Sequence, residues 1–215
     1  MAGGGAGAAA GGGAGAAAGG GAGAAAGGGA GAAGGGGDAS DVVVRAAEPA
    51  DAAVLAEVAA ATFALACPPH VTQQSIDTFI ADVLSRTCFE RYLADPQRDL
   101  FLSEADGRVT GYAMVVHGEP ADADVRAALT LRPTAELSKI YVLPDQHGAG
   151  TSRLLMAASV EVARARGAAG VWLGVNQLNE RAQRFYAKSG FVMVGTKRFL
   201  VGERYEDDFV FERPA

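Results

Sequence analysis

The chain has 215 residues, with 24 acidic against 18 basic side chains and a formal net charge of −6. No Lys/Arg cluster stands out, which argues against nucleic acid as a partner, and an acidic surface suits solubility or a cationic small substrate. The two cysteines, Cys67 and Cys88, make neither a metal motif nor a disulfide framework, and no metal is expected.

Residues 3–10, 11–18 and 19–26 repeat one octet, Gly-Gly-Gly-Ala-Gly-Ala-Ala-Ala, and a fourth copy decays into 34–37. No charged residue precedes Asp38, and no branched aliphatic or aromatic residue precedes Val42. Glycine loses much backbone entropy on folding and alanine offers one methyl group to bury. Residues 1–38 are therefore predicted to be a disordered Gly/Ala-rich tail, and 39–215 one folded domain. The tail lacks the basic start and apolar middle of a signal peptide, and its glycines give too little transfer energy for a membrane span. A cytoplasmic protein without membrane contact is expected.

Within 39–215, residues 41–45 read as a Val-rich strand, and Glu48-Pro49-Ala50-Asp51 as a helix start. Helices are predicted to about Leu65 and, after the Pro68-Pro69 break, over about 72–86, where Ile76, Phe79, Ile80 and Val83 share a face. Strands at 100–104 and 109–117 flank the Asp106-Gly107 turn. A loop is predicted over 118–133, then a strand at 136–142, a helix at 153–166 closed by Gly167, and a strand at 171–175. Asn179 caps a further helix, and strands at 191–196 and 208–212 end the chain. The strand–helix–strand unit of 136–175 requires a parallel pair. The remainder reads as antiparallel, giving a mixed α/β sheet ordered β-α-α-β-β-β-α-β-α-β-β.

Between strand 136–142 and the next helix lies Pro144-Asp145-Gln146-His147-Gly148-Ala149-Gly150-Thr151-Ser152. Small residues ahead of a helix let backbone N–H groups face an anion. No Gly-Lys-Ser/Thr follows, which excludes a P-loop, and there is no third glycine for a dinucleotide fingerprint.

Ile140-Tyr141-Val142-Leu143-Pro144 with His147-Gly148-Ala149-Gly150-Thr151-Ser152 resembles motif A of the GNAT acetyltransferases. Asn179-Glu180-Arg181-Ala182-Gln183-Arg184-Phe185-Tyr186, followed by Gly190-Phe191, is similar to their motif B at the right distance downstream. His147 and Ser152 depart from the residues usual at their positions. Ser138 to Val142, Val171 to Val175, and 195–202 with Asp208 resemble the bacterial spermidine/spermine (PaiA-like) branch.

The resemblance implies a single-domain GNAT fold, with a splayed parallel strand pair in a mostly antiparallel sheet and flanking helices. It implies acetyl-CoA as co-substrate and a small-molecule amine, such as a polyamine, as acceptor, and it allows a homodimer. Ile140, Tyr141 and Val142 would line the pantetheine arm, with a backbone N–H near Val142 polarising the carbonyl. His147, Gly148, Ala149, Gly150, Thr151, Ser152 and Arg153 would surround the pyrophosphate. Asn179 would touch pantetheine as well as cap its helix. Tyr186 would be the general acid, with a core tyrosine as the plain alternative. Glu136, which strand alternation puts on the face of Ile140 and Val142, would be the base; His117, His70 or a water relay are alternatives. Phe63 and His70 would line the acceptor site. Other readings are a protein or antibiotic acetyltransferase, a non-catalytic acyl-CoA sensor, or a nucleotide-binding module.

Overall fold

The computed structural model describes residues 42–67, 71–146, 150–201 and 204–215. The expected tail 1–38 and the site candidates His70, His147, Gly148 and Ala149 lie outside them. Seven strands form one sheet: β1 (Val43–Ala46), β2 (Arg98–Ala105), β3 (Arg108–His117), β4 (Thr134–Val142), β5 (Gly170–Asn176), β6 (Val192–Val201) and β7 (Arg204–Pro214). Their order is β1-β2-β3-β4-β5-β7-β6. Neighbours are antiparallel except for the parallel β4–β5 pair, as the strand–helix–strand spacing requires.

The helices are α1 (Ala52–Ala66), α2 (Gln73–Val83), α3 (Arg86–Ala94), α4 (Ala123–Ala128), α5 (Thr151–Ala165) and α6 (Glu180–Lys188). Two depart from the sequence expectation. The helix predicted over 72–86 stops at Val83, and Ser85 caps a new helix by accepting from the Cys88 N–H. The predicted 118–133 loop contains α4, begun by Asp122, whose Oδ1 accepts from Asp124 N at 2.8 Å and Val125 N at 3.1 Å. Short helices of this kind depend on their caps and on packing rather than on periodicity. The closing hairpin also outruns the predicted strands. Lys197 opposes Asp208 and Arg198 opposes Asp207, and opposite charges facing across strands favour continued pairing.

Two apolar layers sandwich the sheet. On one face α5 and α6 bury Leu155, Val160, Ala182 and Tyr186 against Ala113, Leu137, Ile140, Val142, Val175 and Phe211. On the other, α1 to α3 bury Leu55, Phe63, Ile76 and Phe89 against Leu102, Tyr112, Met114 and Tyr141. Each fully buried aliphatic or aromatic side chain contributes about 1.5–3 kcal/mol. The stretch Pro49–Ala66 is long and apolar enough to cross a membrane by length and composition. In this fold it packs on the sheet through Leu55, Val58, Ala59 and Phe63.

Beside α1 to α3, α4 covers β5, β7 and β6, with Val125 and Leu129 on Trp172 and Val210. Glu212 fastens the segment after α4: its carboxylate accepts from the Thr130 N–H, the Leu131 N–H and the Thr130 hydroxyl at 2.7–3.1 Å.

Candidate active site

The parallel pair is held by three register positions, Thr134 with Gly170, Ala135 with Val171 and Glu136 with Trp172. Beyond them β4 continues only with β3, and β5 only with β7. A gap therefore opens in the middle of the sheet, with strand backbone along its edges. The Leu143 N–H donates to Thr110 O on β3 at 2.8 Å. Alternation then turns the backbone groups of Tyr141 toward β3 as well, and those of Ile140 and Val142 toward the gap. Of the three residues expected along pantetheine, Ile140 and Val142 thus turn their backbone groups to the gap. Tyr141 does not, and its ring stacks on Tyr112 in the opposite layer, 5.7 Å between centroids.

At the end of β4, Gly150 precedes α5 with a φ of 85° and no side-chain cap. Among the described residues, a Cβ at Gly150 would meet nothing within 4 Å. The first N–H groups of a helix have no intrahelical acceptor, and the aligned peptide dipoles favour an anion there. Thr151 adds a buried hydroxyl without a hydrogen-bond partner among the described residues. The N–H of Arg153 is occupied, donating to Gly150 O at 2.9 Å, so its guanidinium rather than its backbone is available. Ser152 is half-buried beside them. An uncapped N-terminus, an orphaned hydroxyl and an unpaired strand edge together fit a phosphate attached to an extended amide-containing arm.

Asn179 opens α6, its Oδ1 accepting from Ala182 N at 3.0 Å. Tyr186 lies on the buried side of α6, among Phe185, Phe191 and Phe211, in the same layer as Ile140 and Val142.

Glu136 is not on that face. β3 and β4 lose register between Met114 and Val115, whose partners are Lys139 and Leu137, leaving Ser138 as an extra residue in β4. A bulge of this kind shifts the side-chain alternation by one position. Glu136, Lys139 and Tyr141 consequently share the α1–α4 face with Val116, Met114 and Tyr112, while Leu137, Ile140 and Val142 line the α5 face. The expectation that Glu136 sides with Ile140 and Val142 assumed a regular strand. Burial pushes the Glu136 carboxyl up, opposed in part by the cations Lys197, Lys139 and Arg98. Lys139 is 2% exposed, and burial brings it down to about 8. Trp172, the neighbour of Glu136 on β5, has a buried indole N–H without a hydrogen-bond partner among the described residues. The Lys197 ammonium lies 5.6 Å from the centroid of the Trp172 ring. Lys197 and Asp208 meet over Gly174, where an added Cβ would stand 2.5 Å from Lys197 Cε and 3.0 Å from Asp208 Oδ2.

Two other expected residues have partners of their own. Phe63 stacks on Phe79 between α1 and α2, centroids 4.3 Å apart. His117 Nε2 lies 2.7 Å from Asp99 Oδ2, which also binds Arg166, at the end of β3 that pairs with the start of β4. Lys139, Trp172 and Lys197 were given no role from sequence. The readable signal was Lys139, the one charged side chain between Leu137 and Val142.

Residues 63–191 match the acetyltransferase (GNAT) family. The chain belongs to that family. Its class of activity is acyl transfer. An uncharacterised N-acetyltransferase of Mycobacterium tuberculosis is 47% identical over 163 residues, 76% of this chain and 97% of that one. The streptothricin acetyltransferase of Streptomyces lavendulae is 35% identical over 91 residues, 42% of each chain. Among solved structures, the PaiA N-acetyltransferase from Thermoplasma acidophilum, in complex with coenzyme A, shares the fold. Its TM-score is 0.65 at 19% identity, over 81% of this chain and 99% of that one. The mixed seven-stranded sheet and its opened parallel pair are thus the GNAT architecture.

Proposed function

We propose that this GNAT protein acetylates a primary amine by direct attack, with acetyl-CoA supplying the activated acetyl group. The reading rests on one observation: a gap in the sheet has an anion-ready helix end and Tyr186 on one face, and the Glu136 carboxylate on the other. Gly150, Thr151, Ser152 and the Arg153 guanidinium would hold the pyrophosphate, and Ile140 and Val142 the pantetheine amides. The Asn179 side chain would add a contact while capping α6. The Val142 N–H would stabilise the developing oxyanion.

The amine approaches from the α1–α4 face. Glu136 takes the proton that must leave the nitrogen as the C–N bond forms. A carboxyl raised by burial is the better base for this at neutral pH. Tyr186, on the α5 face, gives its proton to the sulfur as the C–S bond breaks, and recovers it from solvent. The acid and the base thus stand on opposite sides of the reacting carbonyl. The likeness to PaiA-type sequences makes polyamines one acceptor class, and the streptothricin acetyltransferase relative adds antibiotic amines as a second.

A thiol-release assay with acetyl-CoA and a panel of amines tests this. Tyr186→Phe is expected to lower kcat by roughly 10²–10⁴-fold while calorimetric acetyl-CoA affinity is kept. Unchanged kcat in that variant removes Tyr186 as the acid, and absence of transfer to any amine removes the enzymatic reading in favour of an acyl-CoA sensor.

A further inference from the structure

The α1–α4 face of the gap carries polar groups that the fold itself leaves unmatched. Among the described residues, Lys139 is enclosed and makes no hydrogen bond, and the charge that most favours its ammonium is that of Glu136. The Trp172 N–H is buried without an acceptor. Glu136, half-buried between them, has no hydrogen-bonded partner among the described residues. The neighbouring cations are accounted for. Arg98 is paired with Asp95 at 3.0 Å and lies over the Tyr92 ring, and Lys197 sits beside Asp208. The Cys88 thiol, also within the field of Lys139, donates to Asp82 O at 3.1 Å.

Hydrogen-bond chemistry then restricts the ligand. A lysine ammonium and an indole N–H only donate, and an ionised carboxylate only accepts. A polyamine offers Glu136 the donor it needs, but its remaining protonated nitrogens would bring further donors and positive charge against Lys139 and Trp172. The two donors require an acceptor, and a negative charge suits an enclosed ammonium whose carboxylate neighbour, Glu136, is taken up by the amine. The β3 partners of Glu136 and Lys139 are Val116 and Met114, two residues apart, which sets the two β4 positions about 7 Å apart along the face. The ligand's donor and acceptor must therefore be close together.

We infer that the acceptor is a small amino carboxylate, its amine facing Glu136 and its carboxylate received by Lys139 and the Trp172 N–H. This rests on the reading of Glu136 as the group that meets the acceptor amine. It makes Lys139 and Trp172 the residues that determine specificity, and it sets polyamines aside as the preferred substrate.

The test compares β-alanine and the α-amino acids with their carboxamides and with spermidine. Transfer is read as kcat/KM with acetyl-CoA, and binding by calorimetry on the CoA-loaded protein, where no transfer occurs. The wild type is expected to favour a carboxylate over its carboxamide by about 10- to 100-fold in both readouts, the worth of one charge-assisted hydrogen bond. In Lys139→Met the ratio falls toward one, in Lys139→Arg part of it returns, and Trp172→Phe, which keeps a ring but loses the N–H, lowers it. Equal use of carboxylates, amides and spermidine by the wild type overturns the inference. So does a carboxylate preference that survives in folded Lys139→Met. Absence of transfer with a retained calorimetric preference would sink the acetyltransferase reading alone, and absence of both would sink the two together.

Discussion

Replacing Lys139 by methionine should make the protein more stable. Burial lowers the ammonium from the ordinary 10.5 to about 8, a displacement of 2.5 (10.5 − 8). At 1.36 kcal/mol per unit, keeping Lys139 charged costs the fold about 3 kcal/mol wherever it is charged in both states, that is, below about pH 8. Methionine matches the length of the stem and removes that cost. Part of the gain is returned, because Lys139 is one of the cations that offset the burial of Glu136, whose carboxyl would rise further without it. A net gain of about 2 kcal/mol at pH 7 is expected. Urea unfolding monitored by two probes, with unchanged slope, measures it. Between about pH 8 and 10.5 the unfolded chain binds the proton that the folded chain has lost, so wild-type stability from this group rises with pH, and the gap between the two proteins closes toward pH 10.5. A variant no more stable than wild type at pH 7, or a difference that does not narrow with pH, would refute the argument by showing that the ammonium is already compensated.

Two further substitutions probe the two faces separately. Thr151→Val replaces a buried hydroxyl that has no partner, so stability should hold or rise slightly while acetyl-CoA affinity drops several-fold, as calorimetry and a urea melt together would show. Gly174→Ala puts a methyl group 2.5 Å from Lys197 Cε and 3.0 Å from Asp208 Oδ2, and should destabilise by about 1–3 kcal/mol and raise the acceptor KM without weakening acetyl-CoA binding; an unchanged acceptor KM would separate the Lys197–Asp208 pair from the acceptor site.

The parts of this fold that were legible in the sequence are those governed by local rules. Asp106-Gly107 gave the β2–β3 turn, Gly167 the end of α5 with its φ of 83°, and Asn179 the cap of α6. The parallel pair followed from spacing and the handedness of the crossover. What escaped depends on neighbours distant in sequence. The Ser138 bulge is visible only against β3, and without it alternation assigns Glu136 to the wrong face. For the same reason Lys139, which a regular strand would turn away from Glu136, went unassigned. α3 and α4 are held by Ser85 and Asp122 caps and by packing on Tyr112 and Trp172, signals too short to show as a period. His147, Gly148 and Ala149 of the motif lie outside the described residues, and Phe63 stacks on Phe79 while His117 pairs with Asp99, partners that spacing alone did not reveal.

The extra residue at Ser138 also bears on how such a protein changes over time. It shifts the alternation of β4 by one position, so that residues before and after it come to share a face: Glu136 with Lys139, and Leu137 with Ile140 and Val142. Substitutions at Glu136 or Lys139 alter what the α1–α4 side admits and leave the wall against α5 as it was, while substitutions at Ile140 or Val142 do the reverse. A lineage built on this strand can therefore exchange one small molecule for another by point changes on one side of a single β-strand, with the opposite side and its helices free to stay constant.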